Sequence, residues 1–180
     1  MFRSLSAGVL AMALVVAGCG DDDGGTSSEN LGSNATTSST GAAGAFTGCK
    51  TEGAATAAPS EEVVLTLGEW TIKPSAQPKA GNISFKAENA GAEEHEVVFV
   101  KGDNAAALPK DADGALDEAK LPEGALIGEI EAFPPGQVCS GTFNLAAGKY
   151  VMVCNVVHTE PNGEKEAHFN EGMHEILTVS

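Results

Sequence analysis

The stretch "KYVMVCNVVHTEPNGEKEAHFNEGMHEILTV", residues 149 to 179, decides how this chain is read. It begins with an apolar run, Tyr150 to Cys154, and closes on a second, Ile176 to Val179. Runs this short and this rich in β-branched residues are strands rather than helices. Between them lie His158, His168, Met173 and His174, and Cys154 ends the first run. A strand, a polar loop and a strand thus gather a thiol, three imidazoles and a thioether near one end of the chain.

Working outward, the same strand grammar continues toward the N-terminus. Ala147-Gly148 turns the chain into Lys149. Val138 to Leu145 and Ala125 to Ala132 are two further candidates, and His95 to Val100 another. Gly81 to Asn89 alternates, with Ile83, Phe85 and Ala87 on one face, and Asn89-Ala90-Gly91 is a turn signal. Val63 to Leu67 and Glu69 to Lys73 come before it, and Pro74 ends the latter. About eight short strands separated by Gly, Pro, Asn and Asp predict an all-β sandwich or barrel. Residues 102–124 break the pattern, being rich in Ala, Asp, Leu and Lys. Ala112 to Lys120 is expected to form one short helix or a loop.

The chain has 180 residues, enough for one domain of ordinary size, and 42% of them are hydrophobic, enough for a core. Its formal net charge of −15 repels nucleic acid and excludes polynucleotide binding. No glycine-rich phosphate loop follows a strand, and neither a Ser-His-Asp arrangement nor Gly-x-Ser-x-Gly is present.

The N-terminus reads as an address. Arg3 is followed by an apolar run from Ala7 to Ala17, too short to span a bilayer but long enough for a signal-peptide core. It ends in Val16-Ala17-Gly18-Cys19, which resembles a bacterial lipobox, so residues 1–18 are expected to be removed and Cys19 lipidated. An ordinary signal peptide that contains a cysteine is the alternative. Residues 19–48 are then the lipidated cysteine and a tract of Gly, Ser, Thr, Asp, Asn and Ala with too little apolar surface to fold, a tether. The folded domain is expected over 49–180, outside the cytoplasm on the periplasmic or cell-surface side of a membrane. Of the four cysteines, Cys49 and Cys139 remain as an even pair in an oxidising compartment. A disulfide between them is expected, with two buried free thiols the alternative.

The loop chemistry narrows the function. A thiolate, imidazoles and a thioether are soft or borderline ligands, and two His, one Cys and a weak axial Met select copper. Zinc has little use for methionine. The C-terminal loop supplies Cys154, a histidine and Met173, and the one histidine outside it is His95, at the start of a strand.

Over residues 62–180 the chain resembles the cupredoxins, the blue-copper proteins such as plastocyanin and azurin, and most of all small membrane-tethered bacterial members. Gly81-Asn82-Ile83-Ser84-Phe85 through Asn89-Ala90-Gly91 to His95-Glu96-Val97-Val98 resembles the strand, turn and strand that deliver the first histidine ligand. Pro134-Pro135-Gly136 through Ala147-Gly148-Lys149-Tyr150 to Cys154 resembles the strand that ends at the cysteine ligand. His168-Phe169-Asn170-Glu171-Gly172-Met173 resembles the second histidine and the axial methionine. The resemblance implies a Greek-key β-sandwich binding one type 1 copper ion through His95, Cys154, His168 and Met173.

Two departures stand out. Familiar members place only a few residues between the cysteine and the second histidine, whereas Cys154 and His168 have 155–167 between them. His158 has the short spacing, but no methionine stands at Asn162 or Gly163, where its partner would fall. Thr159 to Ala167, with its Pro161-Asn162-Gly163 turn, is therefore read as an insertion that bulges outward, and His168 is preferred to His158. His174, next to Met173, is expected to face the opposite way on a strand. The second departure is Glu96, where many cupredoxins carry an asparagine that helps fix the ligand loops.

The resemblance implies one-electron transfer between redox partners, not an enzyme's turnover. A copper enzyme would need a second centre, and only His158 and His174 are left over. The acidic surface suits a redox protein with a basic docking face, and a monomer is expected. The alternative with the same ligands is copper storage or delivery without redox turnover.

Overall fold

A computed structural model describes residues 46–180. Eleven strands run through them: β1 (Thr51–Glu52), β2 (Glu61–Gly68), β3 (Thr71–Pro74), β4 (Gly81–Asn89), β5 (His95–Lys101), β6 (Leu126–Phe133), β7 (Val138–Leu145), β8 (Gly148–Val153), β9 (Val157–Thr159), β10 (Lys165–Ala167) and β11 (His174–Val179). The eight strands predicted from the sequence are β2 to β8 and β11. The three added ones are two or three residues long, too short to carry a periodic signal.

Two sheets face each other. One has the order β3-β2-β4-β7 and the other β1-β6-β5-β8-β11, while β9 and β10 form a separate hairpin. β2 and β4 are parallel, with Val63 opposite Phe85 and Leu65 opposite Ala87. In β4 every second residue from Ile83 to Asn89 is buried, as the alternation requires for a sheet with one covered face. Phe85, Phe99 and Phe143 meet between the sheets, with ring centroids of 4.6 Å for Phe85–Phe99 and 4.9 Å for Phe99–Phe143. Burying each ring contributes about 2–3 kcal/mol.

The five-stranded sheet is covered on both faces. Val97, Phe99, Tyr150 and Met152 point into the main core. Val98, Val100, Val151 and Val153 point the other way and pack under Ala105, Leu116, Ala125 and Phe169. Residues 102–124 are therefore a lid over the outer face of β5 and β8. They form a loop with short 3-10 turns at Ala105–Ala107 and Glu118–Lys120, rather than a helix over 112–120. The cause is local: Asp111 Oδ1 accepts from the amides of Asp113 at 2.9 Å and Ala115 at 3.0 Å, and Gly114 is left-handed at φ +89. This side-chain turn competes with helical hydrogen bonds.

Cys49 and Cys139 form a disulfide with a Cα–Cα distance of 5.4 Å. Cys49 lies two residues before β1 at the edge of one sheet, and Cys139 sits in β7 of the other. The bond is a staple between the layers, of a kind that stabilises by about 2–4 kcal/mol. Cys19 lies outside the described residues. Among the described residues, no helix is long and apolar enough to cross a membrane.

Candidate metal centre

Three side chains converge at the end of the sandwich where β4, β8 and β10 run out. His95 is the first residue of β5, Cys154 follows β8 directly, and His168 follows β10. All three are fully buried. His95 Nδ1 is 3.2 Å from His168 Nδ1, and Cys154 Sγ is 3.3 Å from His168 Nδ1 and 3.8 Å from His95 Nδ1. Ligands bound at about 2.0–2.3 Å leave one another about 3.3–3.8 Å apart, so these three atoms surround a point that fits a metal ion.

Their protonation is compatible with that fit. Burial pushes His168 down to about 4, with the neighbouring histidines adding to the effect, and burial likewise lowers His95. Both rings are therefore neutral at pH 7, the state that coordinates. Burial pushes the Cys154 thiol up to about 12, while the backbone amides of Glu96 and Val156 act in the opposite direction. The Glu96 amide points at Cys154 Sγ from 3.5 Å. An ion entering here must displace the thiol proton, so its uptake strengthens as pH rises.

Met173 is fully buried in the same core cluster as Cys154. Its main chain ties the loop shut: the Cys154 amide donates to Met173 O at 3.1 Å, and the Met173 amide donates to His168 O at 2.9 Å. His174 is exposed, on the opposite side of β11 from Met173.

The long Cys-to-His spacing has a simple geometry. Val157 pairs with Ala167, His158 with Glu166 and Thr159 with Lys165, so the inserted residues fold back on themselves as a hairpin. The His168 amide then donates to Val156 O at 3.0 Å. In space, His168 stands beside Val156 as though the hairpin were absent. It is His168 that meets His95 and Cys154. His158 lies on its outer side, with the two rings nearly parallel and their centroids 5.1 Å apart.

Several residues that the sequence reading passed over complete the site. Asn89 is buried and makes three bonds: its Nδ2 donates to Glu93 O at 2.8 Å and Phe133 O at 3.0 Å, and its Oδ1 accepts from the Gly91 amide at 3.0 Å. It clamps the loop that leads to His95. Glu69 Oε1 accepts from the Ala92 amide at 2.5 Å, which holds its carboxyl below the usual range, and lies 3.6 Å from His95 Nε2. Gly91 permits this approach, because a Cβ there would lie 2.6 Å from His95 Nε2. Asn155, directly after Cys154, accepts from the Leu116 amide at 2.6 Å and donates to Glu118 Oε1 at 3.0 Å. It fastens the 102–124 lid to the site.

Trp70 turns between β2 and β3 at φ 60, a conformation that favours Gly or Asn and costs a bulky residue about 1 kcal/mol or more. The indole meets the His168 ring edge-on, with centroids 5.0 Å apart. The sequence pattern placed Glu69 and Trp70 in a strand, whereas they form the turn before β3, and nothing in it linked Trp70 to His168.

Neither a family profile nor a curated protein matches the sequence. Solved structures do match. Auracyanin B superposes with a TM-score of 0.50 at 18% identity, covering 73% of this chain and 97% of that one. An auracyanin from the photosynthetic bacterium Roseiflexus castenholzii gives 0.47 at 23% identity, over 68% of this chain and 99% of that one. Auracyanin A, described as a "blue" copper protein from Chloroflexus aurantiacus, gives 0.43 at 21% identity, over 66% and 99%. The sandwich of this chain has the cupredoxin fold.

Proposed function

We propose that this protein binds one type 1 copper ion and passes single electrons between redox partners. The observation that carries this reading is the convergence of His95 Nδ1, Cys154 Sγ and His168 Nδ1, 3.2–3.8 Å apart in a fully buried pocket beside Met173. Two neutral imidazoles and a thiolate near a thioether form the donor set that favours copper over zinc. Copper held there supplies an ion that changes by one electron with little rearrangement of its ligands.

The chain's own residues supply the rest. Cys154 loses its proton on uptake and gives the strong bond. His95 and His168 would hold the ion through Nδ1, and Met173 would offer a weak thioether donor. The two sheets and the Asn89 clamp fix the donors before the ion arrives, so that neither oxidation state can relax the site to its own preference. The net charge of −15 suits a partner with a basic docking face. The lipobox-like Val16 to Cys19 and the polar tract after it support an extracytoplasmic, membrane-tethered protein lipidated on Cys19.

The test is the visible spectrum of the full chain after addition of Cu(II), in wild type, Cys154→Ser, His168→Ala and His158→Ala. An intense blue thiolate-to-copper band is expected, lost in Cys154→Ser and His168→Ala and kept in His158→Ala. A band lost with His158→Ala but kept with His168→Ala would reassign the second histidine. A bound ion without a blue band would overturn electron transfer and leave copper storage or delivery.

A further inference from the structure

His168 has a second ring nitrogen, and it has company. His168 Nε2 lies 3.1 Å from Glu93 Oε2, and Glu93 Oε2 lies 3.7 Å from His158 Nε2. The three atoms fall within 4.8 Å of one another. Each is shielded from solvent, yet none makes a hydrogen bond. At 3.1 Å a nitrogen and a carboxylate oxygen are close enough to bond, so their failure to do so is one of direction. All three atoms are thus held close together with their bonding capacity unspent.

A tetrahedral ion with bonds of about 2.0–2.2 Å holds its nitrogen and oxygen ligands about 3.3 Å apart. The observed 3.1 and 3.7 Å bracket that value. The Glu93 and His158 side chains are each about one-third exposed, at 32% and 33%, so the cluster lies near the surface although its ligand atoms face inward. They come from different elements, the loop before β5 and strand β9, so the site closes only when the hairpin folds back.

We propose that Glu93, His158 and His168 Nε2 form a second metal site, suited to a borderline divalent ion such as zinc and joined to the first centre through the His168 ring. The inserted hairpin then has a role, which is to deliver His158. This goes beyond the electron-transfer reading and does not depend on it, since it asks only whether a second ion binds.

The experiment counts metals on the full chain. The protein is loaded with one equivalent of Cu(II), titrated with zinc by calorimetry, dialysed and analysed by elemental mass spectrometry. One further zinc per chain is expected in wild type and none in His158→Ala or Glu93→Gln, with both variants retaining the copper spectrum of wild type as proof of folding. If copper gives no blue band, the same difference of one zinc between wild type and His158→Ala is read on the metal-free chain, so the two readings fail separately. No zinc retained by wild type, or an undiminished count in His158→Ala, overturns the proposal and leaves Glu93 as a carboxylate that only orients His168.

Discussion

The two loops that bring the histidines together are built on opposite plans. The loop from Asn89 to His95 is held by side chains: Asn89 bonds three of its backbone partners and Glu69 caps Ala92. The loop from Cys154 to Met173 is held by its own main chain, through Cys154 to Met173, Met173 to His168, and His168 to Val156. The first depends on particular residues at particular positions. The second depends chiefly on closure, with the Asn155 side chain alone tying its start to the 102–124 lid. That is why the second loop accommodates an insertion and the first stays short.

Substitution at the clamp tests this most severely. Asn89→Ala removes three hydrogen bonds, one buried and two part-buried, and strands their partners, which should cost about 3 kcal/mol in urea denaturation of the metal-free protein. A loss below about 1 kcal/mol would break the comparison.

A smaller effect is expected from pH, at the residue that follows His95. Burial, with Glu129 adding to it, pushes the Glu96 carboxyl up to about 8 from an ordinary value of 4.5. The folded state therefore holds a proton that the unfolded chain releases. This contribution is fully present below about 4.5 and is lost as pH rises through about 8. The melting temperature of the metal-free protein should fall as pH rises from about 4.5 to about 8, and Glu96→Gln should flatten the fall. An unchanged slope in the variant would assign the effect to another group, such as Glu129, whose carboxyl is also raised by burial.

The smallest effect belongs to the hairpin tip. Replacing Glu160 to Glu164 by an Asn-Gly turn keeps the Thr159–Lys165 pair and the Val156–His168 bond. Stability should change by less than about 0.5 kcal/mol, since loop closure depends only weakly on length. A large loss on denaturation would show that the second loop also relies on specific side chains.

The same contrast explains what could be read from the sequence. β4 alternates because one face of its sheet meets solvent, and Ile83, Phe85 and Ala87 announced that face. β5 and β8 read as continuous apolar runs because the 102–124 lid covers their outer side. The His-x4-Met unit was legible because its spacing is local. Glu93 and Trp70 were not, because each meets His168 across a sequence gap that no periodicity spans, and the turn signal at Asn89 did not reveal its bond to Phe133 O. Glu93 sits 75 positions before His168, a separation given by 168 − 93. Burial and the neighbouring Glu129 carboxylate raise the Glu96 carboxyl, while its amide serves Cys154.

The β2–β3 turn beside the second loop reaches into optics. The chain contains a single tryptophan, and it is Trp70, edge-on to the His168 ring. The fluorescence of the whole protein therefore originates beside the candidate centre. A paramagnetic or strongly absorbing ion at His168 would quench it, and a colourless one would leave it lit. The residue that bends the β2–β3 turn into an uncommon conformation is also a lamp that distinguishes occupancy by colour from occupancy alone.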